Sequence, residues 1–190
     1  MSLYTRSLPT RRDLLRYTGT TLSVAAIGLV TGHGIKAAHA ADASQDVAIL
    51  NAAIALEHEG IAAYQIAATS GLLQPAIVDI GVTFQGHHKG HRDVLVKAVE
   101  TLGGKPAEEK SLEAYAADLK AATLKNQEDV LRLALGLEQG AANAYLGLIP
   151  SLGADYHQVA AQMAGDEAFH AAILGQALGE PIPKSALIFG

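Results

Sequence analysis

Residues 163–174 read MAGDEAFHAAIL, and within this run Glu167 and His170 stand three positions apart among alanine and aliphatic residues. Side chains three positions apart share one face of an α-helix. Met163 and Leu174 fall on that same face, so a carboxylate and an imidazole point toward the side of the helix that is buried. The segment predicts a helix on which Glu167 and His170 together bind one metal ion inside the protein.

A similar run occurs 79 residues earlier, where residues 84–95 read FQGHHKGHRDVL. A shift of 79 residues places His88 on Glu167. The shift also pairs identical residues, namely Gly86 with Gly165, His91 with His170, Leu95 with Leu174 and Ala98 with Ala177. The alternative pair Gln85-x-x-His88 would place Arg92 where Leu174 lies, so His88-x-x-His91 is the preferred register.

A second repeat, of 81 residues, superposes Glu57 on Glu138. It also pairs Leu50 with Leu131, Ala53 with Ala134, Leu56 with Leu137, Ala63 with Ala144 and Tyr64 with Tyr145. Each glutamate lies on the apolar stripe of its segment, where an unpaired carboxylate costs on the order of several kcal/mol. No lysine or arginine shares these stripes, so each acid needs a proton or a bound cation.

Prolines separate the Ala- and Leu-rich segments after residue 41. Proline ends helices, and the spacing of the apolar residues predicts helices over 45–69, 76–102, 124–149 and 154–178, with a further short helix over 112–122. No alternating β-branched run is present, so no sheet is expected. The predicted fold is all-α, an up-down bundle of four long helices with a long crossover between the second and the third.

The two repeats bring six ligand-type side chains to equivalent places of a doubled helix hairpin. They are Glu57, His88, His91, Glu138, Glu167 and His170. A single inward glutamate or histidine is more often an ordinary hydrogen-bonded core group than a ligand. Six of them at equivalent positions, without a basic residue among them, favour a metal site of carboxylates and imidazoles.

Other polar residues near these positions receive separate predictions. His87 lies about 40° from His91 around the helix and can reach inward as a partner of a ligand or as an alternative ligand. His58, Glu59 and His157 are expected in solvent, because they lie off the inward stripes. Tyr64 and Tyr145 are expected to fill the core, with a hydrogen bond to a ligand as the alternative for each. Met163 is expected in the core rather than as a haem ligand.

Residues 1–40 have the layout of an export signal. The adjacent arginines Arg11 and Arg12 precede an uncharged, moderately apolar stretch over 17–30, and Ala38-His39-Ala40 is a small-x-small cleavage pattern. This order is typical of a twin-arginine signal, which predicts export, to the periplasm or elsewhere outside the cytoplasm, and a mature chain that begins near Ala41. The alternative is an N-terminal helix or an uncleaved anchor. The apolar stretch is shorter than the about 20 residues of a membrane span, so no stable membrane insertion is expected after cleavage.

Composition excludes several classes of function. The chain has 190 residues and no cysteine, so disulfides, iron–sulfur clusters, thiolate zinc sites and cysteine nucleophiles are ruled out. Residues 41–190 carry a net charge of −9 without a basic run, which argues against nucleic acid or anionic lipid as a partner. The predicted domains are a signal peptide over 1–40, one helical bundle over 41–180 and an extended tail over 181–190.

The glutamates on the first and third helices, with Glu-x-x-His on the fourth and its variant His88-x-x-His91 on the second, resemble the ferritin-like superfamily of ferritins, rubrerythrins and related di-iron carboxylate proteins. The resemblance covers roughly residues 45–180 and is closest to exported bacterial ferritin-like domain proteins that begin with a twin-arginine signal. It implies Glu57 and Glu138 as terminal ligands, Glu167 as a bridge between two irons, and His91 and His170 as the ligands that complete each iron.

His88 departs from the pattern of that superfamily, because it replaces the second bridging carboxylate. The three glutamates supply a charge of −3, so two divalent ions need hydroxide or another anion besides. Two ions with one protein bridge, two unequal ions, or a single ion all remain open. The additional imidazole also shifts the preference from iron or manganese toward copper, nickel or zinc.

Three functions follow from this pattern. The first is a redox protein that binds iron, or manganese, and reacts with oxygen or peroxide. The second is a protein that sequesters a metal such as zinc without turnover, and the third is a structural or stress-protection bundle with a vestigial site. The Ala-rich segments and the apolar tail over 187–189 further suggest a homodimer.

Overall fold

The computed structural model describes residues 39–190, with side chains from residue 43 onward. The predicted twin-arginine motif and the apolar stretch that follows it lie outside these residues. The helices are α1 His39–Thr69, α2 Pro75–Thr101, α3 Leu112–Asp118, α4 Gln127–Leu148 and α5 Ala154–Ala177, with short 3-10 turns at Ala121–Thr123 and Ile149–Ser151. The part of the chain that is described contains no strand. The all-α prediction is therefore confirmed.

The helix ends follow from local sequence. Pro75 stands in the first turn of α2, where its missing N–H has no helical partner to lose. Beyond the other end of α2, Gly103 adopts a φ of +75°, a conformation that glycine reaches at little cost. The Asn126 side chain accepts a hydrogen bond from the Asp129 N–H at the start of α4. The long helices therefore begin and end within a few residues of the predicted bounds, except that α1 starts earlier.

Two helix hairpins form the bundle. α1 packs against α2, α4 packs against α5, and the hairpins meet along α1 and α4 and along α2 and α5. Two apolar clusters fill the interior, one with Leu50, Ile54, Val99 and Met163 and the other with Phe84, Leu131, Leu135 and Leu174. Between these clusters, each long helix contributes the polar residues of the predicted site. The prediction of a core position for Met163 is confirmed.

The crossover between α2 and α4 covers one side of α1. Asn51 fixes it, because its side chain donates to the Lys105 carbonyl at 3.0 Å and accepts from the Ala107 N–H at 2.7 Å. His58 and Glu59 lie under this segment and are only 8% and 9% exposed, so their predicted solvent exposure is wrong. Helical periodicity placed them correctly off the inward stripe, but it cannot show that a loop of the same chain covers that face.

The other end of the chain returns to the bundle. Residues after α5 form no helix, and Phe189 packs against the apolar cluster around Leu131 and Leu174. The Gly190 N–H donates to the Asn143 side chain of α4 at 2.8 Å. Within the described part of the chain, no helix combines the length and the apolar character needed to cross a lipid bilayer.

Candidate metal centre

The six predicted ligands meet in one buried cluster at the middle of the bundle. Their donor atoms form two groups of four, and in each group the atoms lie within 4.8 Å of one another. The first group is Glu57, His88, His91 and Glu167, and the second is His88, Glu138, Glu167 and His170. All six residues are buried, and Glu167 and His170 have no exposed surface at all.

His88 stands at the centre of the cluster. Its Nδ1 lies 2.7 Å from Glu57 Oε2 and its Nε2 lies 3.3 Å from Glu138 Oε1. The same Nδ1 is 3.6 Å from Glu167 Oε1. His88 and Glu167, which the 79-residue repeat superposes, are thus the two residues shared by both groups. Gln85, the alternative partner of His88, instead donates to the Ile61 carbonyl and lies outside both groups.

The remaining histidines mark the two ends of the cluster. His91 Nδ1 lies 3.1 Å from Glu167 and 3.6 Å from Glu57. His170 Nδ1 lies 3.2 Å from both Glu138 and Glu167. Each histidine therefore points its Nδ1 inward, toward one terminal glutamate and the shared Glu167.

Two tyrosines hold the terminal glutamates from behind. The Tyr64 hydroxyl donates to Glu138, and the Tyr145 hydroxyl donates to Glu57. Each bond joins the first helix of one hairpin to the first helix of the other. The two bonds are equivalent, because the 81-residue repeat superposes Tyr64 on Tyr145 and Glu57 on Glu138. Both tyrosines are buried. They fill the core as expected, and the alternative role of a hydrogen bond to a ligand also holds for both.

The outward nitrogens of the terminal histidines have partners on the α2–α5 side. His91 Nε2 lies 3.0 Å from Asp166 Oδ2, so the ring N–H donates to this carboxylate. His170 Nε2 lies 2.9 Å from His87 Nδ1, which confirms the inward reach predicted for His87. Sequence reasoning missed Asp166, although the 79-residue repeat pairs position 87 with position 166 and gave the signal needed to find it.

Opposite charges inside the cluster determine the proton affinities when no metal is bound. Burial lowers the pKa of His88, but hydrogen bonds to Glu138 and Glu57 outweigh burial and hold it well above its ordinary value. Burial likewise lowers the pKa of His91, yet its partners, Glu167 first, raise it to about 10. For Glu138, the hydrogen bonds from His170 and His88 overcome burial, and its pKa is lowered. Burial dominates at Glu167, whose pKa is raised.

The donor set suits a transition-metal ion. Among the described residues, the three glutamates form ion pairs with histidines only, so protons on imidazole are the sole cations that neutralise them. A divalent ion can replace these protons, because it binds deprotonated imidazole and carboxylate. The apolar clusters on either side keep the site away from bulk water. The cluster can therefore hold a metal ion.

Comparison with known proteins agrees with this fold. The sequence model of the ferritin-like domain family matches residues 45–180. Among solved structures, the fold is similar to that of a conserved hypothetical protein from Mycobacterium tuberculosis, with 21% sequence identity and a TM-score of 0.60 over 77% of this chain and 99% of the other. At that identity the likeness shows the fold alone. No curated protein matches the sequence at a significant level.

Proposed function

The chain belongs to the ferritin-like domain family, and from that premise we propose that it is a redox protein whose buried cluster binds two iron ions. Reaction of the iron with oxygen or peroxide is the proposed activity. Manganese is the alternative metal, because the three carboxylates suit manganese as the three imidazoles suit iron.

One observation supports this proposal above the others, namely that two four-residue groups share His88 and Glu167. A single ion would need only one of these groups. The duplicated chain instead offers a glutamate and a histidine at each end, Glu57 with His91 and Glu138 with His170, around a shared centre. This arrangement favours two neighbouring ions, and Glu167 is the carboxylate that both groups would offer to them.

Protein groups would orient the ligands and exclude water. Tyr64 and Tyr145 hold the terminal glutamates, while Asp166 and His87 contact the outward nitrogens of His91 and His170. A bound pair of ferrous ions would supply one electron each, which with two protons reduce one dioxygen molecule to hydrogen peroxide. Because the glutamates supply a charge of −3, an additional anion such as hydroxide would complete the charge balance.

The proposal is tested on protein purified from its own host. Mass spectrometry of bound metals should find about two irons per chain, and ferrous iron should cause rapid oxygen uptake in the metal-free protein. Glu138→Gln should lose bound iron and oxygen uptake. Glu128→Gln, which changes an exposed glutamate of the same helix, should keep both. Iron content that is unchanged in Glu138→Gln would exclude a metal role for this cluster.

Metal sequestration without turnover is the second candidate function. It is favoured by His88, because the cluster then offers three imidazoles and three carboxylates, a set that also suits zinc and copper. Purified protein that contains zinc or copper, and shows no oxygen uptake with ferrous iron, would establish this function in place of the first.

Export through the twin-arginine pathway is proposed from the sequence of residues 1–40. Replacing Arg11 and Arg12 together by lysine should retain the protein in the cytoplasm, whereas the unchanged chain should be recovered from the periplasm. The proposed homodimer is tested by the mass of the purified protein in analytical ultracentrifugation.

A further inference from the structure

A cavity of about 40 Å³ lies between α1 and α4, under the crossover. Ala63 of α1 and Leu133 and Leu137 of α4 line its walls, and Leu119 and Leu124 of the crossover also face it. Two residues of the metal centre, His88 and Glu138, belong to the same lining. The cavity therefore reaches from the crossover to the metal cluster.

Gly60 lets the ring of His88 approach α1 closely. A β-carbon at Gly60 would lie 3.0 Å from the imidazole of His88, which is tighter than nearly all contacts that β-carbons make. Both residues line the cavity. Because Gly60 has no side chain, the ring of His88 can lie close to α1 and still contact the cavity.

The lining of the cavity is almost wholly apolar. Its polar members are Glu59, Tyr64, His88 and Glu138, and the Tyr64 hydroxyl is already bonded to Glu138. A single water needs a cavity of roughly 10–15 Å³ together with two to four polar partners, and apolar cavities stay dry and accept apolar ligands such as xenon. The volume between α1 and α4 is sufficient for one small molecule, and its lining favours an apolar one.

The opposite side of the metal centre has a different character. There, between α2 and α5, the exposed residues His87 and Asp166 contact His170 and His91. A polar molecule or a cation would meet hydrogen-bonding groups on that side. The two sides of the cluster therefore suit different kinds of molecule.

We propose that the cavity between α1 and α4 is a binding subsite for dioxygen, which reaches the metal centre beside His88 and Glu138. This inference rests on the proposed function for the reaction that follows binding. Dioxygen has no hydrogen bonds to water to lose on entering an apolar cavity. Hydrogen peroxide would lose its hydrogen bonds there, which costs free energy. The subsite thus selects dioxygen over peroxide as the oxidant delivered from this side.

Xenon tests the subsite without metal and without turnover. Methyl NMR spectra of the metal-free protein are recorded under increasing xenon pressure. Saturable shifts at the methyl groups of Leu133 and Leu137 are the expected result, because these residues line the cavity beside His88. Their absence would overturn the proposal.

Two matched variants on α1 locate the binding. Ala63→Leu adds the same side chain as Ala68→Leu, and both positions are half-buried. Ala63 lines the cavity beside His88, whereas Ala68 lines a neighbouring cavity of about 30 Å³ whose lining includes neither His88 nor Glu138. Xenon shifts at Leu133 and Leu137 should disappear in Ala63→Leu and persist in Ala68→Leu; any other pattern would overturn the assignment. If the leucine variant does not fold, Ala63→Val makes the same test with a smaller side chain.

Kinetics in the iron-loaded protein separate the two oxidants. In Ala63→Leu, the KM for dioxygen should rise about tenfold with little change in kcat, and the rate with hydrogen peroxide should stay the same. An equal loss with both oxidants would overturn the selectivity. If xenon binds as expected but the unchanged protein consumes no oxygen, the redox function fails while the apolar subsite stands.

Discussion

His87 and Asp166 occupy equivalent positions of the two hairpins, and each contacts the terminal histidine of the other. His87 Nδ1 lies 2.9 Å from His170 Nε2, and Asp166 Oδ2 lies 3.0 Å from His91 Nε2. The 79-residue repeat relates the two contacts, yet one partner is an imidazole and the other a carboxylate. The two ends of the metal cluster are therefore geometrically alike and electrostatically different.

The first prediction concerns the end of the cluster at His91. A carboxylate that accepts a hydrogen bond from a ligating histidine makes the ring a better ligand. Asp166→Asn should therefore weaken metal binding at Glu57 and His91 by about 10–100-fold. Calorimetric titration of the metal-free protein with manganese should show one of two binding steps weakened by this factor and the other unchanged.

Asp155→Asn is the control for this variant, because Asp155 is an exposed acid in the first turn of the same helix. It should leave both binding steps unchanged. A similar loss of affinity in Asp155→Asn, or equal weakening of both steps in Asp166→Asn, would contradict a specific role for Asp166.

The second prediction concerns the unusual ligand at the centre of the cluster. His88→Glu would raise the number of carboxylates from three to four, which balances two divalent ions. The variant should bind more ferrous iron relative to zinc than the unchanged protein. The reason is that the imidazole of His88 shifts the preference of the site toward zinc, and a carboxylate at this position would remove that shift. Competition between the two metals, followed by mass spectrometry of the bound ions, measures the ratio.

His88→Gln is the matched control, because it removes the imidazole without adding charge. It should lower the affinity for both metals. If His88→Glu binds less iron relative to zinc than the unchanged protein, the proposed effect of the additional imidazole is wrong.

The third prediction concerns the tyrosines behind the terminal glutamates. Tyr64→Phe leaves the buried carboxylate of Glu138 with one hydrogen bond fewer, and Tyr145→Phe does the same to Glu57. Each change should lower the free energy of unfolding of the metal-free protein by about 1–3 kcal/mol. Because the repeat relates the two bonds, the two losses should be similar.

Urea unfolding measures both variants beside Tyr156→Phe, which changes a half-buried tyrosine near the start of α5. That control should change stability by less than either of the other two. A loss confined to one of Tyr64 and Tyr145 would show that the two halves of the site are not energetically equivalent.

Much of the site could be predicted because internal duplication is visible in the sequence. The repeats paired Glu57 with Glu138 and His91 with His170, and the folded chain brings all of them together. The burial of residues that another segment covers could not be predicted from the sequence. His58 and Glu59 are examples, since their burial depends on where the crossover lies. Asp166 was missed for a different reason. It is an exposed residue of its own helix, and in the sequence only its pairing with position 87 in the 79-residue repeat indicates the contact with His91 of the opposite hairpin.

The final prediction is that pH acts in opposite directions on the metal-free and the metal-bound protein. Without metal, the pKa of His91 is about 10 against an ordinary value of 6.5, because the carboxylates around it outweigh burial. The folded state then holds this proton more tightly than the unfolded state. The resulting stabilisation is fully present below pH 6.5 and is lost as the pH rises through 10.

A bound ion displaces the same proton, so metal affinity should increase as the pH rises. Between pH 7 and 9, urea unfolding in the presence of a chelator should therefore show a falling free energy of unfolding. Zinc titrations from pH 6 to 8, repeated in buffers of different ionisation enthalpy, should show proton release and tighter binding at the higher pH. A metal-free protein that becomes more stable from pH 7 to 9, or zinc binding without proton release, would mean that His91 is not protonated in the metal-free cluster.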